Sequence, residues 1–231
     1  MIDQNPTEAT PYSALAEIYD FVMRHVDYVH WADYVDSVLV QHNMMPRTIL
    51  DIACGTGSLA IELHQRGYRA SGADGCAAML VMADAKTIAI GYDIPLYHQS
   101  FLELEGIGSH DTAVCLYDSM NYLMTLEDFA TALERIHQTL RKGGLFVFDL
   151  CTEANSRRHF SDLREHEKGN GFTYTRRSYY EDGVQFNDFE IRFQKPERVV
   201  RELQQQRIYP LDTIYPVIEE SSFVFEAAYD G

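Results

Sequence analysis

Basic residues are scarce in this chain: 19 Lys and Arg stand against 35 Asp and Glu, a formal net charge of −16. A phosphate backbone needs a clustered excess of cations, so nucleic acid is not expected as a partner. The mild concentrations at Arg176-Arg177 and Arg198 to Arg207 read as solvated strand faces. Cysteine is sparse too. Cys54, Cys76, Cys115 and Cys151 form no close pair, and the nine His are scattered, so no metal and no disulfide framework is expected. That pattern points to a reducing compartment. No apolar run reaches the roughly 18 residues of a membrane span. Met1 to Pro11 lacks the basic start and apolar stretch of a secretory signal. The expectation is a cytoplasmic protein without a membrane partner. Apolar residues are plentiful, 46% of the chain with 12 Phe and 15 Tyr, and supply a sizeable core. A length of 231 residues fits one large domain or a domain with an insertion.

The most informative stretch runs from Thr48 to Leu63, Thr-Ile-Leu-Asp-Ile-Ala-Cys-Gly-Thr-Gly-Ser-Leu-Ala-Ile-Glu-Leu. Ile49, Leu50 and Ile52 form a buried strand, Gly55 and Gly57 permit a tight turn, and Leu59, Ala60 and Leu63 begin a helix that Gly67 stops. Asp51 sits at the strand end, before the turn. An acid there would repel a pyrophosphate on the helix N-terminus and would welcome a cationic or amino-bearing ligand.

Further along, strands alternate with helices to about Leu150. Ala70 to Asp74, Leu96 to Gln99, Thr112 to Tyr117 and Leu145 to Leu150 read as strands. Helices carry Met79, Met82, Ala83 and Lys86, then Leu126, Phe129, Leu133, Ile136 and Leu140, with Thr125 to Asp128 as a capping-box-like start and Arg141 to Gly144 as the stop. Ahead of them, Tyr12 to Met23 and Trp31 to Val40 have helical spacing. After Cys151 the pattern turns antiparallel: Phe172 to Arg177, Val184 to Gln194 and Val199 to Tyr209, with Glu181-Asp-Gly183 as a hairpin turn. Phe189, Ile191 and Phe193 share one face. Leu211 to Ser221 reads as a helix and Phe223 to Tyr229 as a last strand. The fold class is α/β, a doubly wound, mostly parallel Rossmann-like sheet with an antiparallel β insertion after the fifth strand.

The Thr48–Leu63 stretch resembles motif I of class I S-adenosylmethionine (SAM) dependent methyltransferases, with Ala53 in place of its first Gly. Leu116-Tyr-Asp-Ser-Met-Asn-Tyr-Leu123 resembles a signature of a bacterial small-molecule subgroup and the equivalent loop of amino-sugar N,N-dimethyltransferases. Those carry His where Tyr122 stands. Tyr12 to Asp20 resembles their N-terminal lid, with Tyr12 and Tyr19 as lid residues and Trp31 packed behind. The resemblance covers Tyr12 to Leu150. It implies residues 1–45 as a helical lid, 46–152 and 211–231 as the SAM-binding core, and 153–210 as an insertion over the acceptor pocket.

The resemblance further implies a cofactor site made of Tyr19, Asp51, Ala53, Cys54, Gly55, Thr56, Gly57, Asp74, Gly75, Met79, Ser100, Phe101, Tyr117 and Asp118. Asp51 would lie near the SAM amino group and Asp74 would take the ribose hydroxyls, both oxygens accepting. Ser100 stands where the family carries an Asp that accepts from the adenine amine; a neutral hydroxyl accepts more weakly. Tyr122 and Tyr12 would orient the acceptor. The implied activity is methyl transfer from SAM, leaving S-adenosylhomocysteine, to a small molecule, amine nitrogen slightly ahead of hydroxyl oxygen. Rival readings are an NAD-dependent oxidoreductase, a tRNA or protein methyltransferase, and a non-catalytic interaction domain. The family usually ends in two further strands, of which Phe223 onward would be the first. A monomer or a homodimer is expected.

Overall fold

The computed structural model describes residues 6–229; the first five residues of the expected lid and the last two of the expected core lie outside them. The described elements begin with a short strand β1, Thr7–Glu8, then a 3-10 turn Leu15–Ile18 running into helix α1, Tyr19–Val22, and helix α2, Tyr28–Gln41. The Tyr12–Met23 helix expected from spacing is thus broken. Tyr12 takes a left-handed φ of 66°, and the turn starts only after the buried Glu202 has collected three main-chain N–H groups. Helix α2 starts ahead of Trp31 because the Asp27 side chain caps it by accepting from His30 N.

The core alternates as its apolar spacing requires. Strand β2 (Thr48–Ile52) leads to α3 (Ser58–Gln65), β3 (Arg69–Asp74) to α4 (Ala77–Ile90), then come β4 (Leu96–His98), β5 (His110–Cys115), α5 (Leu126–Gln138) and β6 (Leu140–Phe148). All five strands are parallel, in the order β4-β3-β2-β5-β6. Leu50, Ile52, Phe129, Leu133 and Ile136 fill one face of this sheet, and Ala32, Val35, Leu39, Ile49, Leu63 and Val114 fill the other. Thr125 caps α5 as its sequence requires, accepting from Asp128 N. Helix α5 ends at Gln138, earlier than the Arg141–Gly144 stop. Leu140 pairs with His110 in the ladder and Arg141 forms an ion pair with Asp111, so those residues enter β6.

The remaining chain forms a second sheet. Helix α6 (Glu153–His159) precedes β7 (Asp162–Gly169), β8 (Phe172–Glu181), β9 (Val184–Gln194) and β10 (Glu197–Arg207). The sheet order is β1-β10-β9-β8-β7, antiparallel except for the parallel pairing of β1 with β10. Strand β7 and helix α6 were not legible in the sequence: β7 reads Asp-Leu-Arg-Glu-His-Glu-Lys-Gly, without β-formers. Phe189, Ile191 and Phe193 do share a buried face, which packs on Leu15, Ile18 and Val22 of the lid. Helix α7, Leu211–Glu220, returns to the core beside α5.

Phe223 to Tyr229 is not a strand. Ser222 is held by Glu134 through its N–H and hydroxyl, Phe223 stacks on Phe146, and Tyr229 bonds His42, so side chains anchor the segment and no ladder forms. β-forming residues alone do not make a strand without a partner's main chain. No helix among the described residues is long and apolar enough to cross a membrane.

Candidate functional site

The parallel strands point their carboxyl ends at one cavity of about 1900 Å³, with the Gly-rich turn as its floor, the lid on one side and the second sheet as its roof. This is where open α/β sheets bind ligands. Ala53, Gly55 and Gly57 all have positive φ, 57°, 56° and 76°, so the backbone turns sharply and presents N–H groups. Gly57 N donates to Cys54 O at 2.9 Å. A Cβ at Gly57 would lie 3.2 Å from that of Ala83, so this glycine serves the approach of α3 to α4. It does not line the cavity; the other residues assigned to the site by resemblance do.

Three acids end the strands. Asp51, 3% exposed, leaves one oxygen, Oδ2, without a partner, and burial together with nearby Asp74 pushes its carboxyl up to about 8. Asp74 accepts from Gly55 N (2.8 Å) and Cys76 N (2.7 Å), and burial raises it as well. Asp149 follows β6 and was missed in the sequence, hidden in an apolar run. The signal was present: it is the third acid at a strand's carboxyl end. Both of its oxygens accept from Asp118 N at 3.2 Å; burial raises the Asp118 and Asp149 carboxyls, and the Asp118 charge adds to the rise at Asp149. Tyr117 and Asp118 hold left-handed φ values of 65° and 59°. Such backbone strain at a cavity floor is a mark of functional sites.

The N-terminal segment packs over the turn. Tyr12 OH and Tyr122 OH form a short hydrogen bond, and Tyr12 packs edge-on against Tyr19 and Tyr122. Tyr19 lies over Gly55. Asp20 accepts from Thr56 (2.6 Å) and pairs with Lys86 (2.7 Å), so the lid is tied to the Gly-rich turn. Trp31 packs edge-on against Tyr117. Tyr122 sits in a 3-10 turn, Ser119–Tyr122, and burial pushes its hydroxyl up to about 12.

Met79, Gly75, Ser100 and Phe101 line the side beyond Asp74. The Ser100 hydroxyl donates to Glu103 at 3.0 Å and keeps its lone pairs free to accept. The roof contributes Arg176, Gln185, Asn187, Gln204 and Gln206, none of them found from sequence. No group of three or more His, Cys, Asp or Glu with metal-holding geometry occurs among the described residues.

Residues 49–144 match a family model described as a methyltransferase domain. A protein of Geobacillus sp. (strain WCH70), provisionally named a methyltransferase, is 35% identical over 140 residues, 60% of this chain and 57% of that protein. The chain therefore spans little over half the length of this relative. Among solved structures, a SAM-dependent methyltransferase from Clostridium acetobutylicum ATCC 824 superposes with a TM-score of 0.75 at 24% identity, over 90% of this chain and 86% of that one. The sugar N-methyltransferase KedS8 from Streptoalloteichus sp ATCC 53650 does so with a TM-score of 0.78 at 19% identity, over 95% and 88%. These likenesses establish the fold: a Rossmann-like parallel sheet joined by an antiparallel sheet.

Proposed function

Because residues 49–144 match a methyltransferase-domain model, we propose that this chain transfers a methyl group from SAM to a small-molecule acceptor, an amine nitrogen in preference to a hydroxyl oxygen. The observation that carries the reading is Asp51: a buried carboxylate oxygen with no protein partner, at the strand end beside the Gly-rich turn. A buried charge without a partner is costly, so such a group calls for a cationic ligand. SAM, when bound, supplies a methyl group on a sulfonium sulfur.

In this reading Asp51 receives the amino group of SAM. Asp74 accepts from the ribose hydroxyls with the lone pairs that Gly55 N and Cys76 N leave free. Ala53, Cys54, Gly55 and Thr56 line the donor through the turn, and Met79, Gly75, Ser100 and Phe101 border the adenine. Residues 1–45 act as the lid that excludes water and 153–210 as the roof of the acceptor pocket. Tyr12 and Tyr122 orient the acceptor. With its hydroxyl pushed up to about 12, Tyr122 is a poor base near neutral pH. A hydroxyl acceptor needs a strong base and an amine does not, which favours nitrogen. The sugar N-methyltransferase neighbour agrees with that preference.

Incubation with methyl-labelled SAM and matched pairs of small amines and alcohols tests the proposal. Label in the amines is the expected result. Label confined to the alcohols would reverse the preference, and label in neither, from protein that binds S-adenosylhomocysteine, would count against small-molecule transfer.

A further inference from the structure

We infer that Glu103, a residue outside the cavity, makes Ser100 an obligate hydrogen-bond acceptor and so selects adenine over hypoxanthine in the methyl donor. The inference rests on the methyltransferase reading and adds a specificity residue to it.

Glu103 is held in place by the loop that follows β4. Ser100 O accepts from Glu103 N at 3.0 Å and closes a turn. Gln99 pins the far end of the loop: its carboxamide donates to Glu105 O (2.9 Å) and accepts from Glu105 N (3.0 Å). Leu104, fully buried, anchors the loop in the core. The two acids on either side of Leu104 have different partners. Glu105 pairs with Arg135 at 2.7 Å, whereas Glu103 Oε2 takes the Ser100 hydroxyl at 3.0 Å.

The cavity end of the loop is fixed as well. Gln99 N donates to Asp74 O at 3.1 Å, which ties the loop to the end of β3. A Cβ at Gly75 would lie 3.3 Å from the Ser100 Cβ, so this glycine lets Ser100 stand close to the β3 end. Ser100 and Phe101 line the cavity and Glu103 does not.

The polarity of Ser100 follows from its single proton. A serine hydroxyl has one proton and two lone pairs; a carboxylate has no proton to give. The proton between Ser100 and Glu103 is therefore the serine's, and Ser100 Oγ is left with lone pairs alone. The exocyclic amine of adenine donates to them, and the carboxylate behind the hydroxyl strengthens that bond. Hypoxanthine carries a carbonyl at the same position and would set an acceptor against an acceptor. Without Glu103 the hydroxyl would rotate and serve either base. An Asp at position 100 would be an acceptor unaided; Ser100 needs Glu103 to become one. Glu103 is thus a positioning residue, acting on the ligand through the Ser100 proton.

The test titrates the full chain by calorimetry with S-adenosylhomocysteine and with S-inosylhomocysteine, whose purine carries the carbonyl in place of the amine. The ratio of the two affinities is the readout. Wild type should favour the adenine compound by at least about tenfold, the size of one hydrogen bond lost with its partner left unpaired. In Glu103→Ala the freed hydroxyl donates to the carbonyl, so the affinity for S-inosylhomocysteine should rise and the ratio should fall at least about threefold. A merely structural role would weaken both ligands and strengthen neither. Ser100→Ala should also lower the ratio, and Glu103→Ala added to it should change the ratio by less than about 1.5-fold. Equal binding of the two compounds by wild type, no gain for S-inosylhomocysteine in Glu103→Ala, or a Glu103 effect that persists without the Ser100 hydroxyl would each overturn the inference. Wild-type protein that binds neither compound would instead overturn the methyltransferase reading beneath it.

Discussion

Asp51 is a carboxylate with one oxygen satisfied and the other waiting, and its substitution separates function from stability. Asp51→Asn removes a buried charge that the free protein stabilises poorly. The free variant should melt higher than wild type at pH 8, while its affinity for S-adenosylhomocysteine falls by about 1.5–3 kcal/mol, the worth of a hydrogen bond to a charged group. Parallel melting curves and calorimetry check both halves; a variant that melts lower and binds as well as wild type would contradict the assignment. Ala53 is the second informative residue, a non-glycine at φ 57°. Left-handed backbone costs an L-residue roughly 1–2 kcal/mol, so Ala53→Gly should relieve strain. Against that gain runs the added entropy of a glycine in the unfolded chain, about 0.4–1 kcal/mol. Chemical denaturation should report a change between neutral and modestly stabilising. A loss above about 1 kcal/mol would show that the Ala53 methyl has packing value. Asp51 and Asp74 were legible in the sequence because a glycine turn follows the first and a strand end marks the second. Asp149 was in view and overlooked, since five apolar neighbours disguised it as core.

The lid is held from two sides. Glu202 on β10, fully buried, accepts from Tyr12 N, Ala14 N and Leu15 N, so the roof sheet caps the lid's first turn. Glu202→Gln turns one acceptor into a donor facing those N–H groups. Protection of the 14–22 amides against hydrogen exchange should drop by the equivalent of about 1–3 kcal/mol, with the core strands unaffected; equal loss across both would mean a global role. The Asp20–Lys86 pair on the other side is partly exposed and contributes less, about 1 kcal/mol at most. None of this pairing was legible. Sequence alternation says which strand residues share a face, and it correctly grouped Phe189, Ile191 and Phe193. It does not say what the face meets, so the lid packing, the amide row and Glu202 stayed hidden. The last segment failed in the other direction: Phe223 to Tyr229 has strand-forming residues, but Phe223 packs on Phe146, Tyr229 bonds His42, and Glu134 holds the preceding Ser222.

At the scale of the whole molecule, the site leaves the free protein with one buried acid, Asp51, and three half-buried ones, Asp74, Asp118 and Asp149, whose carboxyls are all raised by desolvation. Between the ordinary carboxylate range and about 8, the folded state binds more protons at these groups than the unfolded chain does. Stability therefore falls as pH rises through that window. Asp111 and Glu134, held low by hydrogen bonds and charge, and His110, lowered by burial, contribute with the opposite sign. Asp51, pushed up to about 8, and the raised Asp118–Asp149 pair outweigh His110 across pH 5 to 8, where Asp111 and Glu134 are already ionised. The melting temperature of the free protein should decline from pH 5 to pH 8, and the decline should be shallower in Asp51→Asn; a rise across that range would contradict the burial of these carboxylates.

The central claim is that the cavity at the strand ends binds SAM, and titration of the chain with S-adenosylhomocysteine by calorimetry tests it most directly. The account predicts one-to-one binding that Asp74→Ala abolishes while the variant keeps its far-ultraviolet circular dichroism and cooperative melting. Absence of binding to the wild-type protein, or binding that survives Asp74→Ala undiminished, would contradict it.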